Sequence, residues 1–415
     1  GAIAPLRRAF AHRDRLTEVE RYLTEGSYYS QAAFDTPRSI AAYRAALEID
    51  SLEPTANINL AIQLEMLGQY REAAMLSSRT ARDSGSAGSI GYRNATLQWL
   101  DAGSLDTARA LLRDALALYP TDAALRATEI LLIYSEGNLE GAQQRALAMG
   151  NDARTPPLTR SVALSAAARI PAVQGRMREA MELGTQILAL ETARGRAADY
   201  YRAAGVLSEV QAMASGNAAA GRAFLDSTLR ARPLTSAVPG ERPYSDLAFR
   251  YARLGDVPRA RSLLSEEASA FDSTDLRRSG GPRAIALGEI ALAEGKSTEA
   301  IVRFREGLAL DATCFTCWAG ALARAYDAAG NADSAYAWGE RYLASTSNRR
   351  IATDWREMPS LLIRMGDISA EKGDRAKAAE YYQKYIDLRR EADPSLQPQV
   401  AEVKKKLADV AGEKK

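Results

Sequence analysis

The sequence predicts an all-α solenoid of about ten helix-turn-helix pairs, and three observations carry that prediction. A glycine followed five residues later by a small residue recurs as Gly68/Ala73, Gly103/Ala108, Gly137/Ala142, Gly175/Ala180, Gly216/Gly221, Gly255/Ala260, Gly295/Ala300, Gly330/Ala335 and Gly373/Ala378. Successive glycines stand 35, 34, 38, 41, 39, 40, 35 and 43 residues apart, a period typical of stacked helical arrays. Each glycine follows an apolar, helix-favouring run, as a left-handed turn between two close-packed helices requires. One such pair cannot bury its apolar stripe alone, so neighbours must stack into a continuous core.

Residues 1–16 read as a charged connector that ends in an N-cap at Thr17. Within it His12-Arg13-Asp14 imitates a kinase catalytic loop, but Val19 stands where such a loop needs asparagine, and no Asp-Phe-Gly or glycine-rich strand turn accompanies it. His12 is the single histidine, which leaves histidine general-base chemistry and most catalytic zinc sites little to draw on. We therefore expect no enzyme activity, no metal and no cofactor.

The first array block is expected over 17–232. Tyr22, Leu23, Tyr28 and Tyr29 mark one helix, and Pro37 opens the next through Ile40, Tyr43 and Leu47. Phe34, thirty-four residues before Gly68, marks one more turn, with Ile40 close to its small-residue place. Leu60, Leu64 and Leu67 keep helical spacing in the pair that follows. Ser84-Gly85-Ser86-Ala87-Gly88-Ser89-Ile90-Gly91 imitates a phosphate cradle, but it follows a helix and lacks the P-loop lysine, so it reads as an inter-repeat loop. Thr155-Pro156-Pro157 is a stop and restart, and Pro171 should kink the helix that contains it.

A proline-rich loop over 233–243 separates this block from a second one over 244–411, which ends in a capping helix, with a basic tail at 412–415. Arg232 to Pro243, Asp272 to Pro282 and Ala344 to Pro359 read as longer insertions, the last carrying Arg349, Arg350 and Trp355.

The 47% apolar and 26% charged composition is ordinary for a globular chain. A formal charge of +2 gives no argument for nucleic acid, and Lys404-Lys405-Lys406 and Lys414-Lys415 read as solvated helix ends. No apolar run approaches the roughly 18 residues of a membrane-spanning helix, so no membrane insertion is expected. The opening Gly1-Ala2-Ile3-Ala4 lacks an initiator methionine and a signal-peptide pattern, which points to trimming.

Cys314-Phe315-Thr316-Cys317 holds the only cysteines. A structural zinc site would need two more soft ligands, which the chain does not have. Three readings remain: a local disulfide clasping the inter-repeat turn, which we place first and which implies an oxidising compartment; two buried thiols; or a thiol redox centre with one sulfur near a helix N-terminus.

The units resemble tetratricopeptide repeats. Trp99, Ala108, Leu112, Ala115 and the closing Pro120 carry the likeness around Gly103. Leu60-Ala61, Leu247-Ala248 with Tyr251, and Leu322-Ala323 with Tyr326 repeat the first-helix pattern. The resemblance implies a right-handed superhelix whose first helices line a groove for a protein or peptide. It also implies that side chains nine residues before the turn face that groove. Asn59 and Asn94 hold that place, with Arg93 and Tyr28 extending the surface. Asp246 and Arg364 are the other strongly polar residues at this register, and Thr128, Ala166, Leu207, Ala286 and Ala321 do not continue an asparagine ladder.

Cys314 to Cys317, Leu322 to Tyr326, Asp333-Ser334-Ala335, Gly373-Asp374, Lys377 to Tyr382 and Ala392 to Val400, with Arg13 to Glu18 at the other end, resemble the C-terminal repeat region of bacterial transmembrane serine/threonine protein kinases. That likeness implies a sensory or scaffolding role on the extracytoplasmic side, the cytoplasm being the alternative. The functional expectations are thus a non-enzymatic interaction module, a structural subunit in a larger or self-made assembly, or a redox protein acting through Cys314 and Cys317. The oligomeric state is left open.

Overall fold

A computed structural model describes residues 3–82 and 88–412, and among these it contains twenty-three α-helices and no strand. The all-α repeat architecture follows from the turns. All nine turn glycines have φ between +62° and +84°, a region closed to most side chains. Phe34 (φ +56°) is the non-glycine residue that adopts the same conformation, at the tenth turn. The small residues five positions on are buried. At the Phe34 turn that place belongs to Ser39 rather than Ile40; its hydroxyl donates to the Gly26 carbonyl at 2.9 Å. Gly221 stands where the other turns have alanine because a Cβ there would collide with the Ser208 carbonyl oxygen.

The chain divides into two compact units, the first made of 1–136 with the short segments Ala309–Thr313 and Thr346–Asn348. Its helices are α1 (Ile3–Ala11), α2 (Glu18–Tyr28), α3 (Thr36–Ile49), α4 (Pro54–Met66), α5 (Tyr70–Arg82), α6 (Gly88–Asp101), α7 (Leu105–Leu118) and α8 (Ala123–Ser135). Their starts are set by side chains that accept otherwise orphaned N–H groups: a Thr17–Glu20 capping box opens α2, Asp35 caps α3 and Asp122 caps α8. Tyr43, Leu60 and Leu64 fill one core and Leu100, Leu111, Leu112 and Leu125 another, with alanines 46, 61, 95 and 108 between the helices.

Residues 1–16 are not a plain connector. Nine of them form α1, and the ring of Phe10 stacks on Tyr28 with centroids 3.8 Å apart. Segment 309–313 caps the end of α4, where the Ala312 N–H donates to the Met66 carbonyl at 2.8 Å. Segment 346–348 does the same for α6: the Thr346 hydroxyl donates to the Leu100 carbonyl, and the Asn348 side chain donates to the Asp101 carboxylate at 2.8 Å.

The second unit comprises 137–308, 314–345 and 349–415. Its helices are α9 (Leu139–Asn151), α10 (Pro157–Gln174), α11 (Met177–Arg194), α12 (Ala197–Ser215), α13 (Ala218–Ala231), α14 (Tyr244–Arg253), α15 (Val257–Ala270), α16 (Ser273–Arg278), α17 (Gly280–Ala293), α18 (Ser297–Leu310, its last two residues in the first unit), α19 (Phe315–Ala328), α20 (Ala332–Ala344), α21 (Arg350–Glu371), α22 (Arg375–Leu388) and α23 (Gln397–Ala411).

Pro171 lies inside a helix, α10, as expected, whereas several expected insertions are helical instead: α21 runs on through Pro359. The Asp272–Pro282 insertion is the short helix α16 followed by the start of α17. The expected Ala344–Pro359 loop reduces to the residues between α20 and α21, because Ile351, Trp355 and Pro359 are buried. Between α13 and α14, residues 233–243 form two 3₁₀ turns and are pinned by buried Leu234 and Ala237.

Helix α21 also reaches α10: Trp355, 1% exposed, packs with Ala172, Val173, Met177 and Val210. The same end of this unit is tied by Asp393, whose N–H donates to the Gly175 carbonyl at 3.0 Å and whose carboxylate accepts the Arg178 N–H at 2.9 Å.

Candidate partner-binding faces

The first helix of each pair contributes two informative places, nine and six residues before the turn. In the first unit the earlier place holds Asn59 on α4 and Asn94 on α6, both half-buried. Asn59 hydrogen-bonds the Tyr43 hydroxyl, so part of its amide is already used. Asn94 has no hydrogen-bond partner among the described residues. Arg93 is exposed, and its charge acts on Asp122. Burial would raise the Asp122 carboxyl, yet hydrogen bonds from Ser89, Leu125 and Ala124 and the Arg93 charge together lower it. Tyr28 is covered by Phe10 and Tyr29, and so belongs to the packing of α1.

The six-before place was not singled out from sequence, although the same register count reaches it. In the first unit it reads Tyr28, Ile62, Leu97 and Leu131. Ile62 is 41% exposed, and Leu97 and Leu131 are half-buried. The row is apolar, with Phe10 closing one end and the asparagines one turn away.

In the second unit the same place reads Arg169, Val210, Phe249, Glu289, Arg324 and Asp367. Glu209 pairs with Arg250 and, at 3.0 Å, with Arg253. Arg253 lies 3.4 Å from Glu357 and 3.7 Å from Glu289, and Arg324 binds both of these carboxylates, reaching Glu357 at 2.9 Å. Arg356 adds a 2.9 Å contact to Glu357 and stacks on Phe249.

Buried charges persist only when paired and hydrogen-bonded. Burial alone would raise the Glu357 carboxyl, but Arg324, Arg253 and Arg356 hold it far below the carboxylate range. The same contest, with Arg250 first among the cations, lowers Glu209. Glu357 and Arg356 come from α21, so in this unit the chain's own helix occupies the face its first helices share. The repeat resemblance implied a groove lined by first helices; here charges of α21 sit among the charges of that face.

Cys314 caps α19, and its sulfur is bonded to that of Cys317 in the first turn of the same helix. His12-Arg13-Asp14 lies at a 3₁₀ turn where Arg13 holds Glu25 at 3.1 Å and the Phe10 carbonyl at 2.9 Å. Of the Ser84–Gly91 loop, Ser84 to Ala87 lie outside the described residues, and Gly88 to Gly91 are the first turn of α6. Lys414 and Lys415 also lie outside them; Lys406 pairs with Asp367 at 2.7 Å. Among the described residues no cluster of three metal-ligating side chains occurs, and no helix is long and apolar enough to cross a membrane.

Residues 359–391 match the tetratricopeptide repeat family. No curated protein sequence matches the chain. Among solved structures the chain is similar to a tetratricopeptide repeat protein from Parabacteroides merdae ATCC 43184, at 13% identity over 71% of this chain and 93% of that one, with a TM-score of 0.35. It is also similar to a chain of the APC/C hetero-tetramer Cut9-Hcn1, at 12% identity over 95% of this chain and 98% of that one, with a TM-score of 0.31. The matched segment is the C-terminal part of α21, the Gly373 turn and α22, two helices packed through Leu362, Met365, Ala378 and Tyr382 around a left-handed glycine. The chain is therefore a helical repeat protein with one segment, residues 359–391, that matches the tetratricopeptide repeat family.

Proposed function

We propose that the chain is a non-enzymatic scaffold that binds a protein or extended peptide on the first-helix face of its first unit. The observation that carries this reading is the apolar row Ile62, Leu97 and Leu131, with Asn59 and Asn94 one turn away. An apolar row takes partner side chains, while an amide both donates to and accepts from a peptide backbone. The test is a peptide-library selection on the full chain, followed by photocrosslinking from position 62. Selected peptides should crosslink there and lose affinity in the Asn94→Ala and Leu97→Asp variants. Selection of no peptide, or binding indifferent to both variants, would refute the assignment.

The chain further reads as a sensor region of a bacterial serine/threonine kinase held outside the cytoplasm. The bonded Cys314–Cys317 pair supports the compartment, since disulfides persist where thiols are not kept reduced. The coding frame around this chain is the check: a kinase domain and one membrane helix encoded upstream bear it out, and a frame without them overturns it.

A further inference from the structure

The second unit contains a cavity of about 350 Å³ walled by α10, α11, α12 and α14, with Trp355 of α21 on one side. Ile187, Val206, Leu207 and Val210 make much of the wall apolar. Four guanidiniums line it against three carboxylates. Arg194 is held by Glu191 at 2.6 Å, Arg202 lies 3.3 Å from Asp199, and Arg250 binds Glu209 and lies 3.5 Å from Asp246. Arg169 is the one left over. It has no hydrogen bond or ion pair among the described residues, and its neighbours Arg250 and Arg356 repel it, with only the smaller attraction of Asp246 in return. Burial first, and those two cations second, push its guanidinium down to about 10. Two more polar atoms of the cavity lining, Asp246 Oδ2 and Arg250 Nε, are buried without partners.

An unpaired cation inside a protein is destabilising, and every other arginine of this cavity has been given a carboxylate. Arg169 instead lines the cavity itself. We propose that this cavity is a binding site for a small organic monocarboxylate with an apolar body: the carboxylate on Arg169, the body along Ile187, Val206 and Val210. A single unpaired guanidinium suits a carboxylate better than a dianionic phosphate, and the apolar wall excludes a fully polar anion. A volume of this size is in the range of small-molecule pockets. The site is separate from the partner-binding row on the first unit.

Isothermal titration of the full chain with octanoate and with octanamide tests the assignment without any variant. Octanoate should bind at least about tenfold more tightly, as a charge-assisted hydrogen bond predicts. Arg169→Gln should abolish that preference, and the unliganded variant should melt no lower than the wild type, because it has lost an unpaired cation. Equal affinity for acid and amide, no octanoate binding up to millimolar concentration, or an Arg169→Gln chain that keeps the preference would each overturn the proposal.

Discussion

The two units use one repeat scaffold to opposite ends, and the place six residues before each turn shows how. In the first unit that place is apolar and, at Ile62, open to solvent; in the second it carries Arg169, Glu289, Arg324 and Asp367, and α21 lies against it. A stacked array must satisfy its inner face somehow, either with a partner or with its own chain. On the charged face Glu289 and Arg324 are satisfied internally, by each other and by Glu357, while Arg169 is left unpaired; among the described residues the apolar face has no such complement beyond Phe10 at its edge. Identical backbone geometry therefore does not imply identical function along a solenoid.

The sharpest way to break this comparison is to remove the hub. Glu357→Ala should cost the second unit about 3 kcal/mol, because it leaves Arg253, Arg324 and Arg356 short of a counter-charge. The matched change in the first unit, Glu72→Ala, removes a solvent-exposed pair with Arg44 and should cost less than about 0.5 kcal/mol. Urea denaturation followed by hydrogen exchange, unit by unit, reads both values, and equal losses would undo the contrast.

Acid should act on the same hub more gradually. Glu209 and Glu357 have folded-state values below their ordinary 4.5, so their contribution is complete above about pH 4.5 and is lost as pH falls further. Exchange protection of α14, α19 and α21 should hold from pH 7 to about 5 and drop below that. Protection in the first unit, whose lowered carboxyls Glu20 and Asp122 act as helix caps, should change less.

Reduction of Cys314–Cys317 closes the scale on the second unit. The linked loop is short, so reduction should cost no more than about 2 kcal/mol, read as a modest fall in melting temperature with reductant that a Cys314→Ser, Cys317→Ser double variant no longer shows. Smallest of all, Asn94→Ala should shift stability by less than about 0.5 kcal/mol, since Asn94 has no partner to lose, while weakening peptide binding.

Turn chemistry made the fold readable. Left-handed residues admit few side chains, so nine glycines and a buried small residue after each mark nearly every hairpin, and even Phe34 is found by spacing alone. What the register could not reveal was where a long helix lies. Pro359 suggested an end, but burial of Trp355 and Met365 on one helix carries α21 through it. The charge network was hidden for a similar reason: Glu209, Arg253, Glu289 and Glu357 are far apart in sequence, and each alone looks like a surface residue. Counting nine places before each turn reached Asn59 and Asn94; counting six would have exposed the apolar and charged rows together.

The most direct test of the division is a hydrogen-exchange footprint of the full chain with a selected peptide bound. Protection should rise on α4, α6 and α8 and stay unchanged on α14, α19 and α21. Protection appearing instead on α14, α19 and α21, with those three first-unit helices unaffected, would contradict the account.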